Sequence, residues 1–145
     1  MADCPIVIAE DRKKGVTGMA HCGGTYVNRE VPKNIIEALQ KEYNSSPEDI
    51  YVYIGSNAKK ESYIYDRWPV WATNKVWNNH IEEKEGNYHI DLDGAITEQL
   101  EKLGIKNIEI SKYDTVKDKI HYSHSASYHG NKDKFGQNYV GFLYE

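Results

Sequence analysis

Apolar and polar positions form short runs from the first residues of the chain. CPIVIA at 4–9 is brief and rich in β-branched residues, EDRKKG is charged and ends in glycine, and VTGMA at 16–20 resumes the apolar pattern. This predicts a β-hairpin. Cys4 then enters the first strand and His21 leaves the second. In an antiparallel pair the start of one strand lies beside the end of the other, so these two residues are expected to meet.

Further along, Pro32 suits a first helical turn, and Ile35, Ile36, Leu39 and Tyr43 recur at helical spacing until NSSPED ends the run. IYVYIGS at 50–56 reads as a buried strand. ESYIYDRWPVWATNKVW predicts helix at both ends with Pro69 interrupting it, and EEKEGN a solvated turn. Asp91 is positioned as an N-cap for a helix whose stripe is Leu92, Ile96, Leu100 and Leu103, closed by Gly104 at C′. IKNIEIS follows as a strand, and NYVGFLY at 138–144 as a last one. Strands and helices alternate without a repeat or linker, which predicts one mixed α/β domain over residues 1–145.

Composition narrows the functional classes. The 145 residues suffice to bury a core without staples, and two cysteines cannot frame a disulfide scaffold, so free thiols and a cytoplasmic location are expected. No apolar stretch has the length of a membrane helix. With 18 Lys+Arg against 22 Asp+Glu the chain is mildly acidic and its basic residues are scattered, which speaks against nucleic acid as partner. Twelve tyrosines against two phenylalanines suit a wet cleft wall or an interface, so a homodimer is a candidate assembly. A core finished with tyrosine explains them equally well.

The chemistry concentrates in GMAHCGG at 18–24. A cysteine near an imidazole can serve nucleophilic attack, with His21 as general base, or zinc ligation. The bland alternative is a buried thiol beside an unrelated histidine. Two ligands do not make a catalytic zinc site, which ordinarily takes three protein groups. Cys22 would point away from His21 in an extended strand and is assigned to core packing. Gly23 and Gly24 read as a turn. HYSHSASYHG at 121–130 offers His121, His124 and His129, of which His124 or His129 are candidates to complete a metal site; polar loop histidines are the commoner outcome. Nucleophile-elbow, phosphate-loop and dinucleotide motifs do not occur.

ADCPIVIAED followed by GVTGMAHCGG resembles the paired signature of laccase-domain proteins, in which an A-D-C-x-P segment precedes a strand ending in H-A-G-W-R-G. The family was formerly called multicopper polyphenol oxidoreductase and is now associated with purine nucleoside phosphorylase activity. YIGSNAKKESYIY stands where the family has G-P-x-I-x-x-C-x-Y-x-V. HIDLDGAITEQLEKLGIKNIEIS matches its D-L…Q-L-x-x-x-G-V stretch, and IHYSHSASYHGNKDKFGQNYVGFLY takes the place of its terminal F-F-S-Y-R-R-D segment. The likeness covers nearly the whole chain.

It implies a complex α/β fold of the cysteine-hydrolase-like kind, and a zinc ion held by Cys4, His21 and a histidine from an upstream Q-V-H-G segment. It also implies phosphorolysis of adenosine, inosine or guanosine, with adenosine deamination as a companion, so that the partners are a purine nucleoside and phosphate. Departures from the pattern bear on each point. The chain begins three residues before its cysteine, the motif's tryptophan and arginine correspond to Gly24 and Thr25, ESY stands where the middle cysteine is expected, and the terminal arginines fall near Ser125 and Ala126. Three readings follow: a short zinc-site enzyme completed by another histidine or a partner chain, a metal-free Cys4/His21 thiol site, and a non-catalytic relative.

Overall fold

The computed structural model describes residues 2–141. Strand β1 (Ile6–Asp11) and strand β2 (Val16–His21) form the expected hairpin, with Ile6 opposite His21 and Asp11 opposite Val16. Strand β3 (Ile50–Ile54) pairs antiparallel with β1 on its other side. Its residues alternate strictly: Ile50, Val52 and Ile54 are buried, whereas Tyr51 and Tyr53 face outward. One sheet face is thereby apolar.

Two short helices and one long one cover that face. The glycine pair is not a simple turn but opens helix α1 (Gly24–Asn28), followed by helix α2 (Val31–Tyr43) with Pro32 in its first turn as expected. Ile36 and Leu39 of α2 point into the core. Helix α3 (Leu92–Glu101) is the amphipathic stretch anticipated after Asp91: the Asp91 carboxylate accepts the Gly94 amide at 2.8 Å, and Leu92, Ala95, Ile96 and Leu100 are buried. Gly104 takes a positive φ of 82°, the left-handed geometry that turns the chain out of a helix without a Cβ clash. The chain then enters a fourth strand of the first sheet.

Between β3 and α3 the chain departs from expectation. The segment predicted as interrupted helix contains instead a two-residue strand β4 (Ile64–Tyr65), a turn through Pro69, and a single 3-10 turn at Lys75–Asn78. Strand β5 (Ile81–Lys84) and strand β6 (Asn87–Ile90) follow, and β4, β6 and β5 form a separate antiparallel sheet in that order. The charged stretch is thus mostly strand, and only Glu85 and Gly86 turn, with φ of 53° and 77°. Two positive φ values match the twist of a tight hairpin. Aromatic anchoring explains the lost helix. Trp77 is fully buried, its indole N–H donates to Asn28 Oδ1 at 3.0 Å, and Trp71 meets it edge-on with centroids 5.0 Å apart. These rings fix the loop by tertiary contacts that no local helical stripe would satisfy.

Strand β7 (Asn107–Ile110) joins β3 in parallel and completes the first sheet, in the order β2-β1-β3-β7. Helix α4 (His124–Tyr128) and a 3-10 turn at Lys132–Lys134 close the described chain. The final strand expected at 138–144 does not form over residues 138–141, and its remainder lies outside the described residues. Parallel and antiparallel pairing together with helices gives the mixed α/β architecture read from the alternation. Among the described residues no helix is long and apolar enough to cross a membrane.

Candidate functional site

Backbone pairing places the Cys4–His21 pair. The Cys22 amide donates to the Pro5 carbonyl at 2.9 Å, extending the hairpin ladder beyond Ile6 and His21, while the Gly55 amide bonds Ile6 and the Ala58 amide bonds Asp3. Residues 3–6 are thus pinned between the ends of β2 and β3. Gly23 then passes between the two side chains. A Cβ built there would lie 2.6 Å from Cys4 Sγ and 3.4 Å from His21 Nε2, so the two atoms flank one small space that glycine alone leaves open.

His21 Nε2 is buried and has no hydrogen-bond partner. Such an atom carries an uncompensated desolvation cost. Burial also pushes the imidazole below its ordinary pKa, which keeps it neutral and leaves a ring nitrogen lone pair to use. Burial first, and the neighbouring Asp3 carboxylate second, push the Cys4 thiol up to about 11. Both shifts work against a thiolate–imidazolium pair, and Nε2 accepts no hydrogen bond from the thiol. A cation between the two would supply the missing partner for Nε2 and favour the thiolate. The residues present fit a metal ion as two of its donors. Among the described residues no three His, Cys, Asp or Glu side chains gather to hold one. Neither His124 nor His129 joins Cys4 and His21 in a donor set.

Cys22 packs in the core, fully buried, with its thiol pushed up to about 12, mainly by burial. Only Cys4 of the two thiols reaches a cleft, one of about 460 Å³. Its second wall comes from the chain around β4, where Tyr63 and Tyr65 meet edge-on with centroids 5.4 Å apart and hydroxyls 3.2 Å apart, and where Arg67 follows. Burial holds the Tyr63 hydroxyl protonated. A third wall is α4, which contributes His124, Ser125 and Tyr128, with His129 just after it. His121 stands apart from this lining; its Nδ1 is 2.8 Å from Asp118 Oδ2.

Trp71 resolves one departure in the motif. Its ring atoms lie 2.5 Å from where a Cβ on Gly24 would be, so an aromatic from the β4–β5 connection fills the space a side chain at 24 would need. The residues that sequence reasoning missed are Asp3, Tyr63, Tyr65, Arg67 and Trp71. For the tyrosines a signal existed: residues 63 and 65 are two apart, hence on one side of an extended chain.

Comparison with known proteins agrees with this architecture. Residues 1–140 match the family model described as multi-copper polyphenol oxidoreductase laccase, and the chain belongs to that family. It is 27% identical over 108 residues to a purine nucleoside phosphorylase of Clostridium acetobutylicum, covering 74% of this chain and 46% of that protein. It is 24% identical over 114 residues to a purine nucleoside phosphorylase of Bacteroides thetaiotaomicron, covering 75% and 42%. In fold it resembles the crystal structure of YlmD from Geobacillus stearothermophilus, with a TM-score of 0.77 at 23% identity over 88% of this chain and 50% of that one. The hypothetical protein YfiH of Bacillus licheniformis gives 0.76 at 23% identity, over 88% and 51%. The chain spans about half the length of the curated relatives it matches.

Proposed function

From this family membership we propose that the cleft binds a purine nucleoside and phosphate, and that Cys4 and His21 are two ligands of a zinc ion used in phosphorolysis of adenosine, inosine or guanosine. The observation that carries the reading is the partnerless, buried Nε2 of His21 facing the same space as Cys4 Sγ. A third donor would come from outside the described residues. When bound, zinc supplies a Lewis acid at that point of the cleft.

The chain's own residues then bind and orient. Tyr63, Tyr65 and Tyr128 offer aromatic surface to a purine ring. Arg67 gives the cleft an arginine, the group that holds phosphate through paired N–H donors, although positions 25, 125 and 126 lack one. In the reaction a phosphate oxygen forms a bond to ribose C1′, the N-glycosidic bond breaks, and the base leaves with a proton while ribose 1-phosphate stays behind. Deamination of adenosine would use the same cleft with water attacking C6 and ammonia leaving.

Metal content of protein purified without a histidine tag, beside a Cys4→Ala control, tests the ligand pair. Phosphate-dependent release of hypoxanthine from inosine tests the chemistry. Stoichiometric zinc that is lost in the control, with ribose 1-phosphate formed only by the metal-loaded protein, is the expected result. Absence of zinc and of base release from both proteins would leave the non-catalytic reading in its place.

A further inference from the structure

Asp3 is 5% exposed and holds a φ of 76°, a left-handed conformation that costs energy outside glycine, though aspartate tolerates it better than most. Neither Cys4 nor the hairpin ladder accounts for where its carboxylate goes. Oδ1 accepts the Thr115 hydroxyl at 2.8 Å, and Oδ2 accepts the Ser125 amide at 2.5 Å, a bond between residues 122 apart in sequence. Ser125 lies in the first turn of α4, the helix that carries His124 and Tyr128 along the cleft. The Asp3 carbonyl in turn accepts the Ala58 amide at 3.0 Å, so the residue that reaches out to α4 is itself tied to the body of the fold.

The segment leading to α4 is tied to the body of the fold where the Thr115 amide donates to the Asn57 carbonyl at 3.1 Å, and the other supports of α4 come from its own end of the chain. The Ser123 amide donates to the Lys134 carbonyl, and the Lys134 ammonium donates to the carbonyls of Thr115, Asp118 and His121. These bonds stiffen residues 115–134 internally. They do not attach α4 to the hairpin that carries Cys4 and His21.

We propose that Asp3 is a positioning residue that latches the α4 wall across the cleft above Cys4, so that access to the thiol and the setting of His124, Tyr128 and His129 depend on the Asp3–Ser125 and Asp3–Thr115 bonds. The residue immediately before the cysteine thus couples the two sides of the cleft. A ligand that needs a wider opening has to displace α4 from this carboxylate.

The two cysteines provide the test. Cys4 lines the cleft and Cys22 is fully buried, so alkylation by iodoacetamide, read per cysteine by mass spectrometry on metal-free protein, distinguishes local opening from general loosening. Asp3→Ala is expected to speed Cys4 alkylation at least tenfold while Cys22 stays unreactive, and to raise amide exchange across residues 123–129. Asp3→Asn keeps one carbonyl acceptor and should restore part of the protection. Because the Asp3 charge also acts on the thiol, Thr115→Val supplies an arm with no change of charge, and it should give an intermediate rate of its own. Faster Cys4 alkylation in Asp3→Ala with no change in Thr115→Val and no change in exchange at 123–129 would show a charge effect alone and overturn the latch. Reaction of Cys22 alongside Cys4 would overturn it too, by showing that the fold as a whole had loosened. Neither zinc nor nucleoside enters the measurement, so its outcome is independent of the proposed reaction.

Discussion

The two sides of the cleft are held by different kinds of force. On the hairpin side, Cys4 and His21 are fixed by backbone ladders shared among β1, β2 and β3, over a core in which Val7, Ala9, Val52, Ile54 and Ile36 are almost fully buried. On the α4 side, a five-residue helix with a single buried residue, Ala126, is held by the Asp3 carboxylate and by a few local backbone and Lys134 bonds rather than by a sheet ladder. Donor atoms for a metal need positions fixed to within fractions of an ångström, and a sheet with a packed face gives that. A wall held by so few contacts can be changed at little cost to stability.

The largest expected contrast is in stability. Ile36→Ala empties a fully buried site beneath the hairpin and is expected to lower unfolding free energy by about 2–5 kcal/mol. Tyr128→Ala removes a ring that is 80% exposed and should change it by less than about 0.5 kcal/mol. Urea unfolding of both variants checks this. A comparable loss in Tyr128→Ala would mean that α4 belongs to the same cooperative core as the hairpin.

The same contrast separates what could be read from the sequence from what could not. The hairpin was legible because β-branched runs flank a charged turn ending in Gly15, and antiparallel pairing follows from a short connection. The α3 helix was legible because Asp91 and Gly104 mark its ends. By contrast, the stretch at 61–77 is crowded with tyrosine and tryptophan, which serve a strand or a helix equally, and its outcome was decided by Asn28 and the Trp71–Trp77 contact, nearly 50 residues from the hydrogen-bonding partner. Asp3 binding the Ser125 amide has no local signature at all. Contacts of that range depend on the fold being complete before the residues meet.

Of the two sides of the cleft, zinc uptake should depend on the hairpin and not on α4. The Cys4 thiol, pushed up to about 11, has to lose its proton to ligate, whereas the imidazole of His21 is already neutral. Apparent affinity should then rise about tenfold per pH unit from pH 7 to 9, with one proton released per ion bound. Competitive titration against a chelator at three pH values measures the slope. His124→Ala and His129→Ala should leave it and the affinity unchanged, since neither residue stands with Cys4 and His21. A tenfold loss in either variant would move that histidine into the donor set and erase the distinction between the two sides.

The smallest effect is expected from acid, and it should fall first on the α4 side. Burial works to raise the Asp118 carboxyl, but hydrogen bonds from the His121 amide and ring and from the Ile120 amide outweigh it and hold the group below the ordinary carboxylate range. A carboxyl depressed in the folded state adds stability above its unfolded pKa, about 3.9, and that contribution is lost as pH falls through the folded value. Below about pH 4 the loop at 118–121 should therefore loosen, and with it the Lys134 ammonium, which lies 3.7 Å from Asp118 Oδ1 and bonds the carbonyls around it. Amide exchange corrected for intrinsic rates should rise across 118–134 while β1 and β2 keep their protection. In Asp118→Asn the segment should exchange faster at neutral pH and show no further acid step. Simultaneous loss of protection in the hairpin and in 118–134 would indicate one cooperative unit, and the cheap, separately held wall would have to be given up.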